Sequence, residues 1–126
     1  MARLVLIVED DPAILRALLR GLSRVMPSER ILSASSVDEA RGHVRALNPG
    51  DVIWVHSDYD LPGENGLVFL RELPAQLGER LGARVLATGG NLDLQPIVES
   101  EGIIFIAKPW DSSSLIAAIA GYANGL

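Results

Sequence analysis

No cysteine occurs in the 126 residues, which excludes a disulfide framework and any thiolate zinc site but leaves a carboxylate site for a hard cation open. A surplus of positive charge is missing too. Eleven Lys and Arg face sixteen Asp and Glu, for a formal net charge of −5, which disfavours direct binding to nucleic acid or to an anionic membrane, since both carry negative charge. Long apolar runs are absent: stretches such as Leu4 to Val8 and Ile103 to Ala107 span only five residues, far short of a bilayer crossing, and the N-terminus leads into acidic residues without a signal-peptide plan. The expected location is the cytoplasm, with no membrane contact. No linker, repeat or low-complexity stretch divides the chain. With 48% hydrophobic residues it can bury one core and is too short for two, so residues 1–126 read as a single domain.

Short continuous apolar runs recur at Leu4 to Val8, Val52 to Val55, Val85 to Ala87 and Ile103 to Ala107, the pattern of strands covered on both faces of a parallel sheet. Arg30 to Ala34 is a weaker fifth strand, placed nearer an edge. Helical patterns lie between them. Asp11 before Pro12 fits an N-cap with proline at N1, opening a helix to about Val25. Ser36 and Glu39 have capping-box spacing and start a helix over about Val37 to Leu47. A third helix begins near Asn65 and reaches Leu73, where Pro74 at least interrupts it, with another turn or two left open over Ala75 to Leu81. Asp93 to Glu101 holds only a short fourth helix with Pro96 in its first turn, and Asp111 caps a fifth that runs to about Tyr122. Five strand-then-helix units in order predict a doubly wound α/β layer structure with right-handed crossovers. Function then belongs at the carboxyl ends of the strands.

Those ends carry Glu9, Asp10 and Asp11 after the first strand, Asp58 and Asp60 after the third, Thr88 after the fourth and Lys108 after the fifth. Several carboxylates crowded together repel one another, so one must titrate high or a cation must sit among them. All-oxygen ligands without His or Cys suit Mg²⁺, which is commonly completed by a phosphoryl oxygen. Lys108 and Thr88 add a point charge and a hydroxyl donor for the oxygens of a transferring phosphoryl group.

On the segments LVLIVEDDP, SDYDLPGENGL, VLATGG and FIAKPW, the chain resembles the receiver domains of two-component response regulators along nearly its whole length. The resemblance implies a flavodoxin-like (βα)₅ fold with strand order 2-1-3-4-5. It places the phospho-acceptor at Asp58, four residues before Pro62, with Lys108 and Thr88 beside it. The metal ligands become Asp10, Asp58 and the backbone carbonyl of Asp60, with Glu9 acting through water and Asp11 left as a cap. Thr88 and Phe105 become the switch pair, and a cis peptide is implied between Lys108 and Pro109. A histidine kinase or a histidine phosphotransfer domain would supply the phosphoryl group. The surface of the fourth helix, fifth strand and fifth helix would change on phosphorylation and meet an output domain or a second copy. Phosphotransfer and autodephosphorylation would be self-catalysed, and the chain would not be a turnover enzyme.

Plainer readings compete at several positions. His56 reads as a packed histidine near a strand end, His43 as a solvated residue on a helix flank, and Arg16, Arg20 and Arg24 as a solvated stripe. The last helix has no Lys or Arg, so Leu115, Ile116, Ile119 and Tyr122 belong either to the core or to an apolar patch. A phosphatase of the haloacid-dehalogenase type is the enzymatic rival, because Asp58-Tyr59-Asp60 mimics its D-x-D motif. That class needs an acidic pair after the lysine, whereas here the strand-end acids precede Asp58. A docking-only pseudo-receiver commonly lacks one acid or the lysine, and this sequence lacks none.

Overall fold

A computed structural model describes residues 2–108 and 112–124. Its elements alternate as the patterning predicts: β1 (Arg3–Val8), α1 (Pro12–Leu22), β2 (Ile31–Ala34), α2 (Val37–Arg45), β3 (Val52–Asp58), α3 (Gly66–Leu77), β4 (Leu81–Thr88), α4 (Gln95–Ser100), β5 (Ile104–Ala107) and α5 (Ser112–Ala123). The five strands form one parallel sheet in the order β2-β1-β3-β4-β5.

Strand alternation sends side chains to two cores. Leu4, Leu6, Val8, Ile53, Val55 and Leu86 pack under α2, α3 and α4, whereas Val5, Ile7, Trp54 and Val85 pack under α1 and α5. Covering both faces is what the uninterrupted apolar runs demanded. Leu115, Ile119 and Tyr122 are buried in the second core, so that face of α5 is core and not an exposed patch. Among the described residues no helix is long and apolar enough to cross a membrane.

Asp11 and Ser36 cap their helices as expected, and Asn65 adds a cap where the third helix was expected to begin. Asp11 accepts from the N–H groups of Ala13 and Ile14, Ser36 from Glu39 and Asn65 from Val68. Asp111, the expected cap of α5, and the Lys108-Pro109 peptide lie outside the described residues.

Several boundaries differ from the sequence reading. Helix α1 stops at Leu22, and Val25 and Met26 turn back with their N–H groups on Leu22 O; Met26 is buried and precedes Pro27, a position that disfavours helix. Helix α2 ends at Arg45, because Asp51 draws the next residues into a loop by accepting from the N–H groups of Ala2 and Asn48. Strand β3, by contrast, ends on Asp58 as expected, three residues past its apolar run. Helix α3 runs through Pro74 to Leu77. A proline in mid-helix removes the hydrogen bond to the carbonyl four residues earlier, here that of Leu70. Arg84 on β4 fills the gap: its Nη1 donates to Leu70 O at 3.0 Å, and its Nη2 donates to Glu101 O at 2.6 Å. His43 is not simply solvated, since its Nε2 lies 2.9 Å from Ser33 O.

Candidate functional site

Register brings the four strand ends into one line. Val8 pairs with Ser57, Asp58 with Ala87 and Thr88 with Ala107, so Glu9, Asp58, Thr88 and Lys108 end neighbouring strands side by side. Strand order does the rest, because the sheet places β1, β3, β4 and β5 consecutively.

Glu9, Asp10 and Asp58 each offer a carboxylate oxygen, all within 4.8 Å of one another. Among the described residues this is the acidic group that converges on a cation-sized point. Glu9 and Asp58 are buried and Asp10 is exposed. The ammonium of Lys108, the single lysine of the sequence, lies 2.9 Å from Asp58 Oδ1 and 3.5 Å from Glu9 Oε1. Apart from that ion pair, Asp58 Oδ1 is buried without a hydrogen-bond partner.

The electrostatics follow from this crowding. Burial, and then repulsion by Asp58, pushes Glu9 up to about 7 despite the attraction of Lys108. Burial alone would lower Lys108, but its contacts with Asp58 and Glu9 outweigh that and hold it above its ordinary value. Three converging carboxylates, two of them buried and one driven toward its neutral form, with one ammonium among them, are the conditions that a hard divalent cation relieves. The group suits Mg²⁺, which accepts an all-oxygen ligand set and retains water.

The remaining expected residues are placed as follows. Thr88 is fully buried at the end of β4, with its Oγ1 accepting from Gly90 N–H at 3.4 Å and its carbonyl accepting from Lys108 N–H at 2.9 Å. Asp60 is exposed in the loop after β3, and its side chain is not among the three converging carboxylates. Asp11 is turned to helix capping. Phe105 is half-buried against the core beneath α3 and α4. His56, on the β3 face shared with Trp54, is buried and held down to about 4 by desolvation, with Asp58 raising and Lys108 lowering it; it is a packed residue, as expected.

Two features of the site had no signal in the sequence. One is the ion cluster of Arg41, which reaches Glu64 in the β3–α3 loop, Glu72 on α3 and Asp38 on its own helix. It braces the loop that carries Asp60, and burial and charge pairing across three segments cannot be read from spacing. The other is the contact between Ser57, Asp58 and Gly66, hidden because Ser57 looks like an ordinary strand residue.

Residues 5–120 match the response regulator receiver domain model. The chain is 31% identical over 127 residues to protein-glutamate methylesterase/protein-glutamine glutaminase 1 of Caulobacter vibrioides, covering 95% of this chain and 35% of that protein. It is 31% identical over 119 residues to the transcriptional regulatory protein MalR of Bacillus subtilis, covering 94% of this chain and 49% of that protein. It therefore spans half or less of these curated relatives. A response regulator receiver domain protein from Clostridium thermocellum superposes with a TM-score of 0.77 at 26% identity, over 98% of this chain and 95% of that one. The signal receiver domain of an HD domain-containing protein from Pseudomonas fluorescens Pf-5 gives 0.76 at 26% identity, over 98% and 87%. With its sheet order, its acidic cluster and the matched span, the chain belongs to the response regulator receiver domain family of two-component signalling, a phospho-accepting fold.

Proposed function

We propose that Asp58 is the phosphoryl acceptor and that its donor is a phosphohistidine on a sensor histidine kinase or a histidine phosphotransfer domain, in the cytoplasm. One observation carries this reading: the Asp58 carboxylate has a lysine ammonium 2.9 Å away and the Glu9 and Asp10 carboxylates within 4.8 Å. An aspartate so flanked is a nucleophile with charge neutralisation already arranged. An Asp58 oxygen attacks phosphorus, the N–P bond of the donor breaks, and the imidazole leaves with the electron pair. The Lys108 ammonium stays protonated and balances charge on the transferring group, and Thr88 offers it a hydroxyl. Asp10, Asp58 and the Asp60 carbonyl would hold Mg²⁺, with Glu9 acting through water; the ion supplies a hard positive charge to the phosphoryl oxygens.

Thr88 and Phe105 form the switch in this reading, Thr88 turning to the acyl phosphate and Phe105 turning inward. The responding surface is that of α4, β5 and α5, where the exposed apolar side chains Ile97 and Ile104, with Leu92 just before α4, support docking by an output domain or a second copy. The direct test is intact mass after incubation with acetyl phosphate and Mg²⁺. One phosphoryl group on the wild type, and none on Asp58→Asn or without Mg²⁺, is expected. Gain that survives the substitution overturns the assignment.

A further inference from the structure

The backbone of Asp58 is held more closely than its position at a strand end requires. Ser57 is fully buried, and its side chain falls on the β3 face that packs against α3, the parity it shares with Ile53 and Val55. Its hydroxyl donates to the Asp58 carbonyl at 2.9 Å. The other end of that same peptide is held as well, with Tyr59 N–H donating to Ala87 O at 2.8 Å, and the following carbonyl, Tyr59 O, accepts from Gly66 N–H at 3.0 Å. Gly66 is the first residue of α3, and its Cα sits directly over this arrangement. A Cβ there would collide with the Asp58 carbonyl oxygen and with Ser57 Oγ, both far inside van der Waals contact. Those atoms are a backbone carbonyl and a buried hydroxyl, neither of which can swing away as a flexible side-chain end could. Substitution at 66 must therefore move either the start of α3 or the Asp58 peptide.

We propose that Ser57 and Gly66 are positioning residues for phosphotransfer: the hydroxyl and the missing side chain together let α3 clamp the Asp58 main chain, fixing where its carboxylate stands against Lys108. This rests on Asp58 being the acceptor. The carboxylate has little freedom beyond two torsions from that backbone, so a shift in the peptide is passed to the attacking oxygen. Misplacement by about 1 Å is enough to slow a positioned reaction ~10²-fold.

The test follows phosphorylation of the full chain by acetyl phosphate at saturating Mg²⁺, by intact mass at timed points. Three variants are compared with the wild type: Ser57→Ala, Ser57→Cys, which keeps the shape with a slightly larger atom but is a weak donor, and Gly66→Ala. Expected is slowing by about 3- to 10-fold for both Ser57 variants, the effect of one lost neutral hydrogen bond, and by ~10²-fold or more for Gly66→Ala. Without any phosphoryl donor, the Asp58 carbonyl ¹³C resonance should also move in Ser57→Ala, a change that a general loss of stability would not single out. Should Gly66→Ala fail to fold, the Ser57 pair decides. A wild-type protein that gains no mass removes the acceptor assignment and this inference with it. A wild type that reacts, with Ser57→Ala equally fast or its Asp58 carbonyl resonance unmoved, removes the inference alone. Ser57→Cys at the wild-type rate beside a slow Ser57→Ala would assign the effect to packing and overturn the hydrogen-bond clamp.

Discussion

Glu9 is buried beside two other carboxylates, and its proton affinity links the site to the stability of the metal-free protein. Its folded value of about 7 lies above the ordinary 4.5, so between those values the folded chain binds more protons than the unfolded one. Stability attributable to Glu9 is therefore fully present below about pH 4.5 and falls as pH rises toward 7. His56 acts in the opposite direction. Its folded value is about 4 against 6.5, so the unfolded chain binds more protons in that window and stability rises with pH across it. The two slopes oppose each other, and Glu9→Gln separates them. The stability difference between wild type and Glu9→Gln should decline from pH 4.5 to 7 by up to about 3 kcal/mol, as read by thermal or urea unfolding, and saturating Mg²⁺ should abolish the decline. Parallel profiles for the two proteins would contradict this account. Asp58→Asn removes the charge that comes second to burial in raising Glu9, so the Glu9 carboxyl resonance should then titrate at lower pH.

At the scale of elements, the telling case is α3. Its pattern ends at Leu73 in the sequence, because a mid-helix proline costs about 3 kcal/mol, yet the helix continues to Leu77 with Leu70, Leu73 and Leu77 buried. Arg84 compensates from another strand by donating to the carbonyl that Pro74 leaves without a helical partner, and its second bond to Glu101 O ties the end of α4 to the same place. Arg84→Ala should destabilise the fold by about 2 kcal/mol and lower amide protection in residues 71–77. Pro74→Ala in that background should recover part of the loss, since it restores an N–H for Leu70 O. If Arg84→Ala costs the same with and without the Pro74→Ala substitution, Arg84 acts elsewhere. Helix α5 is latched differently. Tyr122 is buried near its end, packs at a tilt against Trp54 with ring centroids 5.5 Å apart, and shares its one hydroxyl proton between Leu4 O at 3.0 Å and Val52 O at 2.8 Å. Tyr122→Phe keeps the ring and leaves those carbonyls short of a donor, so a loss of about 1 kcal/mol is expected in urea unfolding, with increased exchange in the last turn of α5.

Across the whole molecule, the site lies on β1, β3, β4 and β5, whereas β2 and α2 stand at the other edge. Charge placed on Asp58 should therefore be felt through Thr88, one residue beyond its β4 neighbour Ala87, and then along β5. Hydrogen exchange with Mg²⁺ and a phosphoryl mimic should change in residues 88–107 and stay constant in residues 31–45. Identical protection in residues 88–107 would sink the switch assigned to Thr88 and Phe105.

Much of this was readable in advance. The strands follow from uninterrupted apolar runs and the caps from Asp11 and Ser36, because those signals act between residues close in the chain. The chemistry of the site was legible too, since carboxylates, a hydroxyl and a lysine each close a strand that a parallel sheet must align. Long-range partners were not. The unbroken course of α3 through Pro74, the Arg41 cluster and the contact of Gly66 with the Asp58 peptide each depend on groups far apart in sequence meeting in space. Local pattern specified which residue types stand at the strand ends, whereas packing across the sheet set their distances, their ionisation and the backbone beneath Asp58, because those depend on burial and neighbours that spacing along a chain does not encode.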